Sequence, residues 1–184
     1  MSLVMDDIPK IGITGMPNVG KTETIVKIIN SLEKHGYVVQ GMITEPIIEK
    51  HKRVGFHVTN WKTKEREVFA HIDFETKEKV GKYGVDTNAL EKVGVPAIEN
   101  AILDENVNII VIDEIGKMEL FSNSFREAVW EAIRSGKPVL GTIMLSPNPW
   151  ADELKRQPQV KLAEVTRNDF HRLLDDIKLW LPKE

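Results

Sequence analysis

The chain has 184 residues, 41% hydrophobic and 29% charged, enough for one substantial core and hardly for two. A net charge of −3 creates no global field toward DNA or an anionic membrane, and the lack of cysteine excludes disulfides, thiolate catalysis and cysteine-ligated zinc. No stretch is apolar for the length of a membrane span, and Met1 to Lys10 lacks the basic start and apolar core of a secretory signal. A cytoplasmic monomer with one domain over residues 1–184 is therefore expected.

In chain order, Lys10 to Thr14 reads as a strand and Lys21 to His35 as a helix closed by Gly36. Tyr37 to Thr44 is a second strand, with Val38 and Val39 as its β-branched part. Arg53 to Trp61 and Arg66 to Ile72 predict an inserted antiparallel hairpin, turned at Lys62-Thr63-Lys64-Glu65. Asn88 to Lys92 gives a short helix and Pro96 to Glu105 a longer one, with proline in its first turn. Val107 to Ile112 is a nearly continuous β-branched run, as suits a parallel strand buried on both faces. Phe125, Ala128, Val129, Ala132 and Ile133 recur at helical spacing within Ser124 to Arg134. Pro138 to Leu145 and Val160 to Thr166 are further strands, and Ser146 to Pro149 is a mobile connection. Asp169 to Leu181 is a last helix capped by Asn168. Strands alternating with helices predict an α/β fold: a mostly parallel sheet covered by helices on both faces, in three layers, with an inserted β-hairpin.

Between the first strand and first helix lies Gly15-Met16-Pro17-Asn18-Val19-Gly20-Lys21-Thr22, a complete G-x-x-x-x-G-K-S/T phosphate loop in its required strand-loop-helix context. Its glycines let successive N–H groups turn inward on phosphate oxygens, and the following helix presents its positive dipole end. The binding stretch is read as Gly15 through Glu23. Lys21 is assigned to the β- and γ-phosphates and the Thr22 hydroxyl to Mg²⁺. The Val107 to Ile112 strand ends in Asp113-Glu114, where open α/β sheets bind ligands. Asp113 fits the acid that supports Mg²⁺, through a water because Mg²⁺ keeps much of its hydration shell. Glu114 fits the carboxylate that polarises the attacking water. A nucleoside triphosphate such as ATP or GTP is the implied substrate, with hydrolysis as the reaction.

The string Val111-Ile112-Asp113-Glu114-Ile115-Gly116-Lys117-Met118-Glu119-Leu120 resembles the signature of a small nucleoside-triphosphatase family of thermophilic archaea and bacteria. That family has a human relative called cancer-related nucleoside-triphosphatase. Gly41-Met42-Ile43-Thr44-Glu45, Arg53-Val54-Gly55-Phe56, Gly81-Lys82-Tyr83-Gly84-Val85 and Val165-Thr166-Arg167-Asn168-Asp169 resemble further family segments in the right order. The resemblance implies a RecA-like domain with slow, Mg²⁺-dependent, broadly base-tolerant hydrolysis of nucleoside triphosphates. It also points to Thr142 as a polar residue beside the attacking water, with packing as its alternative role. Met42 stands where the family often has an aromatic residue, and Glu23 replaces the common Thr or Ser.

Three other readings compete. A guanine-specific switch shares the loop and an Asp-x-x-Gly, but the sequence contains no Asn-Lys-x-Asp to read the base. A nucleotide, nucleoside or RNA-end kinase uses the same loop with a different acceptor, and Asp152 to Gln157 is the nearest thing to an arginine-bearing lid. A weak nucleic-acid interface could form from Lys50, His51, Lys52, Arg53, Lys62, Lys64 and Arg66, with Phe56, Trp61 and Phe69 as stacking residues. Trp150 is a candidate base contact. Neither motif supplies an arginine for the transferring phosphoryl group. Arg53, Arg126 and Arg167 are the candidates, Arg53 first because Gly55 allows close approach. Glu119 is read either as an acid at a helix start or as a second candidate for activating water.

Overall fold

The computed structural model describes residue 8 and residues 10–15, 20–164 and 170–180. In chain order the elements are β1 (Lys10–Thr14), α1 (Lys21–Lys34), β2 (Val39–Glu49), β3 (Lys52–Asn60), β4 (Arg66–His71), β5 (Lys79–Val80) and β6 (Tyr83–Val85). There follow α2 (Thr87–Ala89), a π-helical turn (Leu90–Gly94), α3 (Val95–Leu103), β7 (Ile109–Ile115), a 3₁₀ turn (Glu119–Phe121) and α4 (Asn123–Arg134). The chain continues through β8 (Val139–Ile143), α5 (Pro149–Lys155), β9 (Val160–Glu164) and α6 (Phe170–Trp180). Among the described residues one nine-stranded sheet runs in the order β5-β6-β4-β3-β2-β7-β8-β1-β9. From β2 to β9 every pairing is parallel. From β2 outward through β3, β4, β6 and β5 every pairing is antiparallel.

Two cores follow from side-chain alternation along the central strands. Ile109 and Val111 of β7 face α1 and α6, joining Ile25, Ile28, Ile29, Leu32, Leu173, Leu174 and Ile177. Ile110 and Ile112 face the opposite layer, with Ile98 of α3 and Phe125 and Val129 of α4. The buried positions of α1 fall three and four apart, the spacing that puts them on one helical face. Helix α4 begins where the Ser122 side chain accepts the Phe125 N–H at 3.1 Å. At the sheet edge opposite the strands' C-terminal tips, the buried Lys10 ammonium donates to the carbonyls of Ala132, Ser135 and Lys137. Lys137 in turn donates to the carbonyls of Ala101 and Asp104. The two side chains close the C-terminal ends of α4 and α3, whose last carbonyls have no partner within the helix.

The structure departs from the expected elements in four places. The insertion is larger than one hairpin, because β5 and β6 extend it to four strands. Strand β2 continues through Glu49, since residues past Met42 pair with β3 instead of a parallel neighbour. The expected break between two helices at residues 93–95 is absent. Gly94 is right-handed helical, and a π turn in which the Val95 N–H donates to the Leu90 carbonyl leads into α3 with Pro96 at its start. Finally, Asn148 caps α5 by accepting the N–H groups of Trp150 and Ala151, so Pro149 opens a helix where a mobile connection was expected. Met16 to Val19, the Asn168 cap and Arg167 lie outside the described residues.

Candidate active site

Strands β1, β8 and β7 are neighbours and parallel, so their C-terminal tips share one edge of the sheet. The phosphate loop leaves β1 at Thr14 and Gly15 and returns through Gly20, whose left-handed backbone (φ 83°) immediately precedes α1. Only glycine takes that conformation without strain, and it places Lys21 and Thr22 in the first turn of the helix. Across the edge stand Asp113 and Glu114 at the tip of β7. The Asp113–Glu114 peptide is cis, and the β7–β8 register shifts between Ile112 and Ile115.

These residues contact one another directly. Lys21 Nζ lies 2.7 Å from Glu114 Oε2. The Thr22 hydroxyl donates to Asp113 Oδ1 at 3.2 Å, and the Thr142 hydroxyl of β8 donates to the same oxygen at 2.5 Å. Asp113 is fully buried, and its Oδ2 has no hydrogen-bond partner. An anionic oxygen left without a partner at full burial is costly unless something else meets it. A carboxylate whose one oxygen meets two threonine hydroxyls and whose other is left open has the hard-oxygen chemistry that Mg²⁺ takes. The site residues therefore fit a divalent cation.

Burial pushes the Asp113 carboxyl up to about 7, with the charge of Glu114 adding and the hydrogen bonds from Thr142, Thr22 and the Thr44 backbone opposing. The folded value is thus raised above the 3.8 of the free side chain. Stability from this group is fully present below the unfolded value and is lost as pH rises through about 7. Without metal, Asp113→Asn is expected to gain on the parent between pH 5 and 8 by roughly 2–3 kcal/mol, from 1.36 kcal/mol per pH unit over the interval in which the folded carboxyl stays protonated. Urea midpoints in chelator at the two pH values check this. An equal difference at both would sink it.

Of the other expected site residues Thr142 joins this cluster and the rest stand elsewhere. Thr142 is buried and committed to Asp113, so its hydroxyl orients that carboxylate. Glu23 is exposed and pairs with Lys27 at 3.1 Å, one turn along α1. Arg53 pairs across the hairpin with Ile48, six residues along β2 from Met42, which pairs with Ile112. At about 3.3 Å per residue that is roughly 20 Å beyond the level of Ile112, farther than an arginine side chain extends. Its guanidinium sits 5.4 Å over the Phe56 ring. Arg126 donates through Nε to the Leu120 carbonyl at 2.6 Å and braces the turn before α4. The hairpin aromatics pack inward: Phe69 is buried, Phe56 lies against Phe69 and Tyr83, and Trp61 Nε1 donates to Glu33 at 2.7 Å. Trp150 meets Trp130 edge to face at 5.6 Å. Glu119 is the residue that spacing undervalued. It is 4% exposed although it opens a 3₁₀ turn, a place where carboxylates normally face water.

Among the described residues no helix is long and apolar enough to cross a membrane. A family model described as NTPase matches residues 10–178. The nucleoside-triphosphatase THEP1 of Methanocaldococcus jannaschii is 40% identical over 168 residues, 91% of this chain and 94% of that protein. The crystal structure of THEP1 from Aquifex aeolicus superposes with a TM-score of 0.81 at 33% identity, covering 95% of this chain and 99% of that one. The solution structure of a human cancer-related nucleoside triphosphatase gives 0.78 at 34% identity, with 93% and 96% covered. With its phosphate loop, its Asp-Glu strand and a similarity that runs nearly end to end, the chain belongs to this NTPase family.

Proposed function

We propose that the protein hydrolyses nucleoside 5′-triphosphates, ATP and GTP among them, to the diphosphate and phosphate, slowly, with Mg²⁺ and with little discrimination between bases. The observation that carries this reading is the meeting of Lys21 and Thr22 with Asp113 and Glu114 at one sheet edge. The incoming β- and γ-oxygens draw the Lys21 ammonium away from Glu114 and take its charge. Mg²⁺, held by the Thr22 hydroxyl and by Asp113 through water, would neutralise charge that develops on the same oxygens. Thr142 keeps Asp113 in place. Glu114, released from Lys21, takes a proton from the water that attacks the γ-phosphorus as the bond to the leaving diphosphate breaks. Slow turnover is supported by the cluster itself: among the described residues Lys21 is the cation paired with it, and Arg53 and Arg126 are engaged elsewhere. Base tolerance is supported by the lack of a guanine-reading Asn-Lys-x-Asp.

A panel of ATP, GTP, CTP and UTP, assayed for phosphate with Mg²⁺ and with chelator, tests the proposal. Nucleoside monophosphates and a 5′-hydroxyl RNA are included as acceptors. All four triphosphates should turn over within about tenfold of one another, well below the roughly 10 s⁻¹ typical of enzymes, and chelator should stop the reaction. Phosphorylated acceptor formed faster than free phosphate would make the protein a kinase.

A further inference from the structure

Three carboxylates, Asp113, Glu114 and Glu119, gather at the tip of β7, and the mechanism above uses two of them. The third is not a surface acid. Glu119 is buried, and among the described residues no lysine, arginine or histidine pairs with it. Its carboxyl is reached by the backbone N–H groups of Gly116 and of Glu119 itself. Gly116 has the carboxyls of both Glu119 and Glu114 beside it. A methyl group added at Gly116 would stand 2.8 Å from Glu114 Oε1 and 3.1 Å from Glu119 Oε2, so these two oxygens flank the glycine and lie no farther apart than the sum of those distances. The other oxygen of Glu114, Oε2, faces Lys21.

Two carboxylates this close, one of them buried without a cation, cannot both be ionised at low cost. A proton on one of them turns the repulsion into an O–H···O⁻ hydrogen bond, among the shorter and stronger kinds in proteins. Glu114 has the ammonium, so the proton falls to Glu119. Burial and the nearby charges of Glu114 and Asp113 push the Glu119 carboxyl in the same direction, well above the usual range.

We propose that Glu119 is a positioning residue for Glu114, a neutral acid that donates to Glu114 Oε1 and holds that carboxylate in line for the attacking water once the triphosphate has drawn Lys21 away. The assignment rests on the reading of Glu114 as the group that takes the proton from water. Through the transfer Glu119 keeps its own proton and fixes the direction of the Glu114 lone pairs. Gly116 is the spacer: any side chain there would push the two carboxyls apart.

The test compares Glu119→Leu, Glu119→Gln and Gly116→Ala with the parent, measuring kcat and KM for Mg·ATP, nucleotide binding by titration and thermal melting. Glu119→Leu should lower kcat by about 10- to 100-fold, as expected for a misoriented catalytic group, with KM changed less than about threefold. Glu119→Gln, which keeps the shape and a donor without charge, should recover most of that loss. Gly116→Ala leaves both carboxyls present, reads the same geometry without a core substitution, and should also lower kcat with KM kept. Parent turnover in Glu119→Leu or in Gly116→Ala overturns the proposal, and so does a Gln variant as slow as the Leu variant. Glu114→Gln is run alongside. If it hydrolyses at the parent rate, the assignment of Glu114 fails, a result distinct from failure of Glu119.

Discussion

Lys21→Ala is expected to lower kcat/KM for Mg-nucleotide by at least about 10³ while the protein stays folded. Two effects add. The triphosphate loses a compact ammonium aimed at its β- and γ-oxygens, and removal of one such preorganised charged donor costs about 10² to 10³ in rate. Glu114 meanwhile loses the partner 2.7 Å away that offsets its charge. With Asp113 beside it, an unpaired Glu114 opposes the approach of a polyanion, so binding weakens as well as turnover. The fold should tolerate the change, because Lys21 lies in the first turn of α1 and is absent from both cores. Phosphate release, nucleotide titration and circular dichroism on one preparation check all three claims. A folded variant with near-normal turnover would remove the phosphate-loop assignment.

The second large effect separates binding from chemistry. Glu114→Gln should cut hydrolysis by about 10² to 10⁴, the usual worth of a positioned base, because an amide can hold the water but cannot take its proton. Binding should move the other way. In the parent, nucleotide has to displace an ion pair between Lys21 and Glu114. A neutral amide holds the ammonium less strongly, so the Gln variant should bind Mg-nucleotide at least as tightly as the parent. Equilibrium titration and single-turnover phosphate release give the two numbers separately. A variant that loses binding and hydrolysis in proportion would make Glu114 a structural partner of Lys21 and leave the water without an assigned base.

What could be read from the sequence was whatever rests on local geometry. The phosphate loop announces β1 and the start of α1, because glycine spacing and the Lys-Thr pair leave few alternatives, and β1 begins and ends where expected. The β-branched run before Asp113 announces a central strand for the same kind of reason. Strand order and the reach of β2 depend on partners distant in sequence, so they were not legible. The role of Thr142 is of this type: its position on β8 was visible, but its commitment to Asp113 follows from the β7–β8 pairing. Arg53 shows the opposite failure. The local Arg-x-Gly-Phe pattern pointed toward the site, whereas the hairpin's register with β2 carries it away. Helix α5 was legible and overlooked, since Asn148-Pro149 is a cap followed by a first-turn proline. The burial of Glu119 left no trace in spacing, because it comes from the 3₁₀ turn folding back over Gly116.

The sheet is fastened unevenly. Lys10 and Lys137 tie helix ends to one edge, while the β2–β3 ribbon runs out past the other to a turn at Lys50 and His51, both with positive φ. From Glu45 to Arg53 that ribbon is exposed almost throughout and carries none of the core. The Lys50–His51 turn is thus the place where the chain can be lengthened, cut or joined to another polypeptide at least cost to the nucleotide-binding half. A fusion or label placed there reports on the enzyme from outside its catalytic edge.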